Sequence, residues 1–167
     1  MTGKVFTLKI FIALTFAGLF TTTPTVQAQD SKKDKQAARS QAVQKKVMNR
    51  EYLVEIQSVI PSGGRMRQLS PGYSLQVKTD SIICNLPYFG EAHSPAVGSG
   101  GGYNFIATQF DYSSEPAKKG GWEIHIKTKD QQENPDIYLT IFENGSASIR
   151  INSMSRESIS YSGTLAE

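Results

Sequence analysis

Cysteine, histidine and tryptophan are nearly missing from this 167-residue chain, which holds one Cys, two His and one Trp. The lone Cys84 excludes an intramolecular disulfide. A folded domain must then rest on packing, whereas many small exported domains depend on bridges. Two histidines and one cysteine cannot make a typical structural zinc site without carboxylates. There is no Gly-x-Ser-x-Gly nucleophile elbow and no EF-hand spacing among the acidic residues. Beyond the first 28 residues no apolar run approaches the roughly 20 residues of a membrane span. No catalytic, metal or nucleic-acid motif stands in the chain, and no cofactor is expected.

What is present begins with an address. Lys4 and Lys9 are the only charges of the first 28 residues, Ile10 to Phe20 is apolar, and Val26-Gln27-Ala28 follows. This reads as a secretory signal peptide, 1–28, cut after Ala28. Gln29, not a cysteine, stands at the cut, so no lipid anchor is expected. The mature chain of 139 residues is one domain's worth, large enough to bury roughly two-thirds of its unfolded surface.

Charge divides this chain in two. Asp30 to Arg50 carries seven basic residues against two acidic, a net of +5, whereas Glu51 onward carries nine against thirteen, a net of −4. A nucleic-acid binder should show a basic stripe on its fold, and a mildly acidic domain offers none. The basic arm, 29–50, is Lys-, Gln- and Ala-rich without Gly or Pro, which favours a helix. Its apolar stripe (Ala38, Ala42, Val43, Val47) is thin, so Val43 and Val47 are the expected docking residues. Its charge suits either a solvated arm or an anionic envelope surface.

From Glu51 the periodicity becomes two, the signature of strands with one buried face. Tyr52, Val54 and Ile56 form one apolar row. Others are Tyr73-Leu75-Val77, Ile82-Cys84-Leu86, Trp122-Ile124-Ile126, Ala147-Ile149-Ile151 and Ile159-Tyr161-Leu165. Ser62-Gly63-Gly64, Ser70-Pro71-Gly72, Lys119-Gly120-Gly121 and Asn134-Pro135-Asp136 punctuate them. Asn144-Gly145 predicts a type I′ hairpin. Ile137 to Phe142 is apolar on both faces and reads as a central strand covered on both sides. The expected fold is mainly β: an antiparallel sandwich or barrel of about eight strands over 51–167, preceded by the helix.

The candidate functional residues are few. Leu86 to Tyr103, with Pro87, Pro95 and the glycines 98, 100, 101 and 102, reads as a long loop, and such loops in compact domains are functional or disordered. Tyr88 and Phe89 open it and Tyr103 closes it; His93 lies within it. Aromatics at a loop gate either line a ligand pocket or plug the end of the fold. His93 beside Ser94 lacks the third group that orients a nucleophile. His125 falls on a wet strand face. Asp130, Glu133, Asn134 and Asp136 crowd one turn and supply oxygen ligands, without a known calcium spacing. Gly98 to Gly102 precedes an extended aromatic segment, Tyr103 to Tyr112, not a helix, so it reads as loop and not as a phosphate cradle. Cys84 reads as core.

Five separated stretches resemble one family in order. They are Gly72-Tyr73 through Val77-Lys78; Leu86-Pro87-Tyr88-Phe89-Gly90; Lys118-Lys119-Gly120-Gly121-Trp122-Glu123-Ile124; Leu139 through Gly145 with Ala147-Ser148; and Ile159-Ser160-Tyr161 with the final glycine. Over about Ala37 to Thr164 the chain resembles the domain of unknown function 4251. The resemblance implies a small exported protein of Bacteroidetes-type bacteria with a single β domain, and brings no activity, cofactor or catalytic residue. His93 stands where that family commonly has an aromatic. The resulting expectation is a non-enzymatic binding module of the periplasm or cell exterior, its partner a small molecule or an envelope protein or glycan. The alternatives are an envelope interaction protein and, third, a hydrolase using His93 or the acidic turn.

Overall fold

The computed structural model describes residues 27–90, 101–118, 120–131 and 133–166. The leader up to Val26, His93 and most of the glycine run lie outside the described residues. Helix α1 (Gln27–Asn49) is followed by β1 (Tyr52–Pro61), β2 (Arg67–Gln68), β3 (Ser74–Val77), β4 (Ile82–Pro87) and β5 (Gly102–Ala107). Next come β6 (Phe110–Pro116), β7 (Trp122–Thr128), β8 (Asp136–Ile141), β9 (Ser146–Asn152) and β10 (Ile159–Leu165). The strands form one antiparallel sheet in the order β5-β4-β3-β1-β10-β9-β8-β7-β6, with β2 added beside β1.

The two ends of that order are joined by two residues, Thr108 and Gln109. β5 and β6 are therefore one extended segment with a kink. Its first half pairs with β4 (Ile82 opposite Ala107) and its second half with β7 (Phe110 opposite Thr128). A single segment serves both borders, so the sheet curls into a nearly closed barrel and edge strands are all but removed. Asp130, from the β7–β8 turn, holds the kink: its Oδ2 accepts from the backbone N–H of Thr108 at 2.7 Å and of Gln109 at 3.2 Å. Gln131 Nε2 donates to the Ile106 carbonyl at 3.0 Å.

The period-two rows point inward as expected. Val54, Leu75, Val77, Ile82, Leu86, Ile126, Ile137, Ile141, Ile149 and Ile151 are all buried in one continuous core that fills the barrel. In β1 a bulge between Ile56 and Ser58 shifts the parity, so Val59 turns inward and Ile60 outward. Next to it, β10 crosses so closely that a Cβ on Gly163 would stand 2.0 Å from the Glu55 carbonyl oxygen. Only glycine fits such an approach.

Two expectations are corrected. Ile137 to Phe142 is not covered on both sides: Ile137, Leu139 and Ile141 face the core while Tyr138 and Phe142 are exposed. Tyr138 instead stacks on His125, centroids 4.6 Å apart. The Asn-Gly hairpin is not type I′, because Gly145 has positive φ and Asn144 does not. Gly145 N donates to the Phe142 carbonyl and Phe142 N to the Ser146 carbonyl, a three-residue loop with glycine in the left-handed position. Asn144 Oδ1 accepts from both the N–H and the hydroxyl of Ser146, which ties Asn144 to the strand.

Helix α1 caps one end of the barrel. Val43 and Val47, one turn apart, are buried with the core. Arg50, at φ 53°, ends the helix: its N–H donates to Val47 O and that of Glu51 to Lys46 O, the paired bonds of a Schellman stop. Lys46 Nζ donates to the Ala166 carbonyl, and the Arg50 guanidinium lies 4.6 Å over the Tyr112 ring. No helix among the described residues is long and apolar enough to cross a membrane.

Candidate functional site

The far end of the barrel, opposite α1, gathers three of the four candidate residues. Tyr88 leaves β4, Tyr103 enters β5, and their rings meet edge to face at 5.8 Å. Tyr103 is buried; Tyr88 is half-buried. Phe89 is 38% exposed. His93 lies outside the described residues.

An arginine that the sequence did not point to organises this end. Arg156, from the β9–β10 connection, places its guanidinium 5.1 Å from the Tyr88 ring centre and 5.0 Å from that of Tyr103. Its Nε stands 3.0 Å from both carboxylate oxygens of Glu133, and Nη1 reaches the Gly102 carbonyl at 3.5 Å. The two charged side chains are only 13% and 15% exposed. Tyr88 donates to the Glu157 carbonyl at 3.3 Å, Tyr103 to Ser153 Oγ at 3.4 Å, and buried Tyr161 to the Pro87 carbonyl at 2.8 Å. Burial raises the phenol pKa of Tyr88 and Tyr103 against these hydrogen bonds, so both stay neutral. Four chain segments are thus stitched around one cation, and cation–π contacts strengthen as the cation is desolvated.

Beside this cluster two described side chains are exposed. Phe89 carries the Arg67 guanidinium 5.2 Å from its ring centre. Arg67 is exposed, on the short β2. The gate therefore has two parts: a closed one, Tyr88 and Tyr103 packed under Arg156, and an accessible one, Phe89 with Arg67. Clefts among the described residues lie elsewhere. One of ≈ 430 Å³ runs beside Lys127, Asp136 and Met154. Another of ≈ 540 Å³ lies between β1 and the Leu69–Tyr73 turn, and a third, of ≈ 450 Å³, between α1 and the barrel end.

The acidic turn is split among separate partners. Asp130 caps the kink, and its hydrogen bonds, led by that from Thr108 N–H, lower its pKa to about 2. Glu133 pairs with Arg156, while Asp136 lies 3.5 Å from His125 Nε2 and 4.0 Å from Lys127 Nζ. Among the described residues no group of three or more His, Cys, Asp or Glu could hold a metal ion. Cys84 is buried, and desolvation pushes its thiol well above the ordinary value, which keeps it protonated and unreactive. Each of these groups serves the scaffold.

No curated protein matches the chain. Among solved structures it is similar to a DUF4251 family protein from Bacteroides eggerthii DSM 20697. The two share 15% identity and a TM-score of 0.59, over 78% of this chain and 90% of that one. That likeness speaks for the fold. The model of the domain of unknown function DUF4251 matches residues 34–165, from the basic arm through the last strand, and the chain belongs to that family.

Proposed function

We propose that this protein is an exported, non-enzymatic binding module of the periplasm or cell exterior, released from its signal peptide after Ala28. Its binding surface is the barrel rim, with Phe89 and Arg67 as contact residues and Tyr88 and Tyr103 beside them. The observation that carries the reading is the exposed Phe89–Arg67 pair standing beside a rigid, hydrogen-bonded platform. An aromatic face with a cation above it offers apolar area and charge to a small molecule or to an envelope component, and preorganisation limits the entropy lost on binding. The assignment of Asp130, Glu133, Asp136 and Cys84 to structural contacts argues for binding over hydrolysis.

Native mass spectrometry of the protein purified from its host envelope tests this. An added mass that is lost on denaturation and missing from Phe89→Ala supports the rim site. A bare monomer for both proteins counts against it. Amino-terminal sequencing of the same sample should begin at Gln29; an intact leader would refute export by cleavage. A second reading, an envelope interaction protein, draws on Lys33, Lys35 and Lys45, all exposed along α1. Deleting 29–50 should then abolish envelope association, and unchanged partitioning would remove this alternative.

A further inference from the structure

The cleft between α1 and the barrel end has a chemistry of its own. Arg39, Ala42, Val43 and Lys46 stand at i, i+3, i+4 and i+7, one face of the helix. With Gly145, Leu165 and Ala166 from the barrel they line a space of ≈ 450 Å³, within the roughly 300–1,000 Å³ of small-ligand pockets. Its lining side chains are apolar (Ala42, Val43, Leu165) except for two cations. The Arg39 guanidinium lies over Gly145, where a Cβ would come within 3.3 Å of Nε and Nη2. Among the described residues no carboxylate is within ion-pair distance of Arg39. Lys46 gives one of its three N–H donors to the Ala166 carbonyl. The floor is rigid: Leu165 N donates to the Gly145 carbonyl and Ala166 N to that of Leu53, each at 2.8 Å.

We infer that this cleft binds an aliphatic carboxylate, the carboxylate held at Arg39 and the chain laid over Ala42, Val43 and Leu165 toward Lys46. Arg39 and Lys46 are two helical turns apart, about 10 Å along the axis, so an anionic head at one cation leaves the apolar stretch between them to the tail. Two cations with no carboxylate of the described residues at ion-pair distance select the anion, and the apolar lining selects an amphiphile over inorganic phosphate. The site is at the opposite end from the rim and stands independently of the rim reading.

Isothermal titration of the purified protein with decanoate, below its aggregation concentration, tests the inference. Saturable one-to-one binding is expected, with decyltrimethylammonium not bound. Arg39→Glu should weaken decanoate binding at least tenfold, and Arg39→Lys no more than a few-fold. Ala42→Phe, which fills the cleft and leaves both cations, should also weaken it at least tenfold. Phe89→Ala should bind as wild type, which separates this site from the rim. No saturable binding by wild type overturns the inference, as does equal affinity for the ammonium amphiphile. Wild-type affinity in both Arg39→Glu and Ala42→Phe overturns it too. If a chain lacking Glu167 binds decanoate and the chain with it does not, the occupant is the protein's own segment beyond Ala166, and the external ligand is refuted.

Discussion

Replacing Arg156 by alanine should unfasten the rim. The Arg156–Glu133 pair is about six-sevenths withdrawn from water, and among the described residues Glu133 Oε2 has no hydrogen-bond donor of its own. Removing only the arginine leaves a carboxylate in a site that cannot hydrate it, and breaking such a pair costs roughly 3–5 kcal/mol when burial is complete. With residual exposure on both partners, about 3 kcal/mol is expected here, the two cation–π contacts included. Replacing both charges by apolar residues of similar size, Arg156→Met with Glu133→Leu, removes the orphan and should fall within about 1 kcal/mol of wild type. Urea unfolding reads the difference. With a slope of about 1–3 kcal/mol per molar, Arg156→Ala should lower the midpoint by roughly 1–3 M, and the double variant should recover most of that. A single variant within about 0.5 kcal/mol of wild type would place the pair among ordinary surface contacts. A double variant as unstable as the single would show that packing, not charge, holds the cluster. Either result refutes the argument.

Asp130 sets an acid limit at the kink. Its folded pKa of about 2 is below the ordinary aspartate value of 3.8, so its contribution is complete above that value and is lost as pH falls from about 4 to 2. Amide exchange at Thr108 and Gln109 should accelerate across that window, and Asp130→Asn should remove the pH dependence. Gly163→Ala forces a methyl against the Glu55 carbonyl and should destabilise by at least about 1–3 kcal/mol; a thermal midpoint unchanged within 1–2 °C would contradict the close crossing. Cys84 should resist thiol reagents in native buffer and react fully in denaturant, and rapid native labelling would deny its burial. Val47→Asp puts a charge into the core-facing side of α1 and should release the arm, seen as protease cleavage within 29–50 while 52–165 stays intact.

The inward rows were legible because a half-buried strand writes its burial into every second residue. Leu75 and Val77, Ile149 and Ile151 could face nowhere else. Val43 and Val47 were legible for a similar reason, as the only β-branched pair one turn apart in a basic helix. The joint at Thr108–Gln109 was not. It carries neither glycine nor proline, and what fixes it is a carboxylate more than twenty residues later. Tyr138 and Phe142 misled because apolar character does not reveal which neighbour covers a face. At the rim, Tyr88 and Tyr103 stood out as aromatics flanking a loop, but Arg156 and Glu133 come from two other connections and Arg67 from the two-residue β2. Loop residues carry no periodicity, so nothing local announces that they converge.

The helix stop at Arg50 and the last paired residue, Leu165, lie at the same pole of the barrel, and Ala166 bonds to Leu53 across the gap. Both ends of the domain thus leave from one side, and Phe89 stands on the other. A molecule tethered by its amino-terminal arm, or through its carboxyl end, is oriented by that geometry alone. The rim points away from the anchorage, the barrel serves as a spacer about one strand long, and a fusion or surface attachment at either terminus leaves the distal face unobstructed.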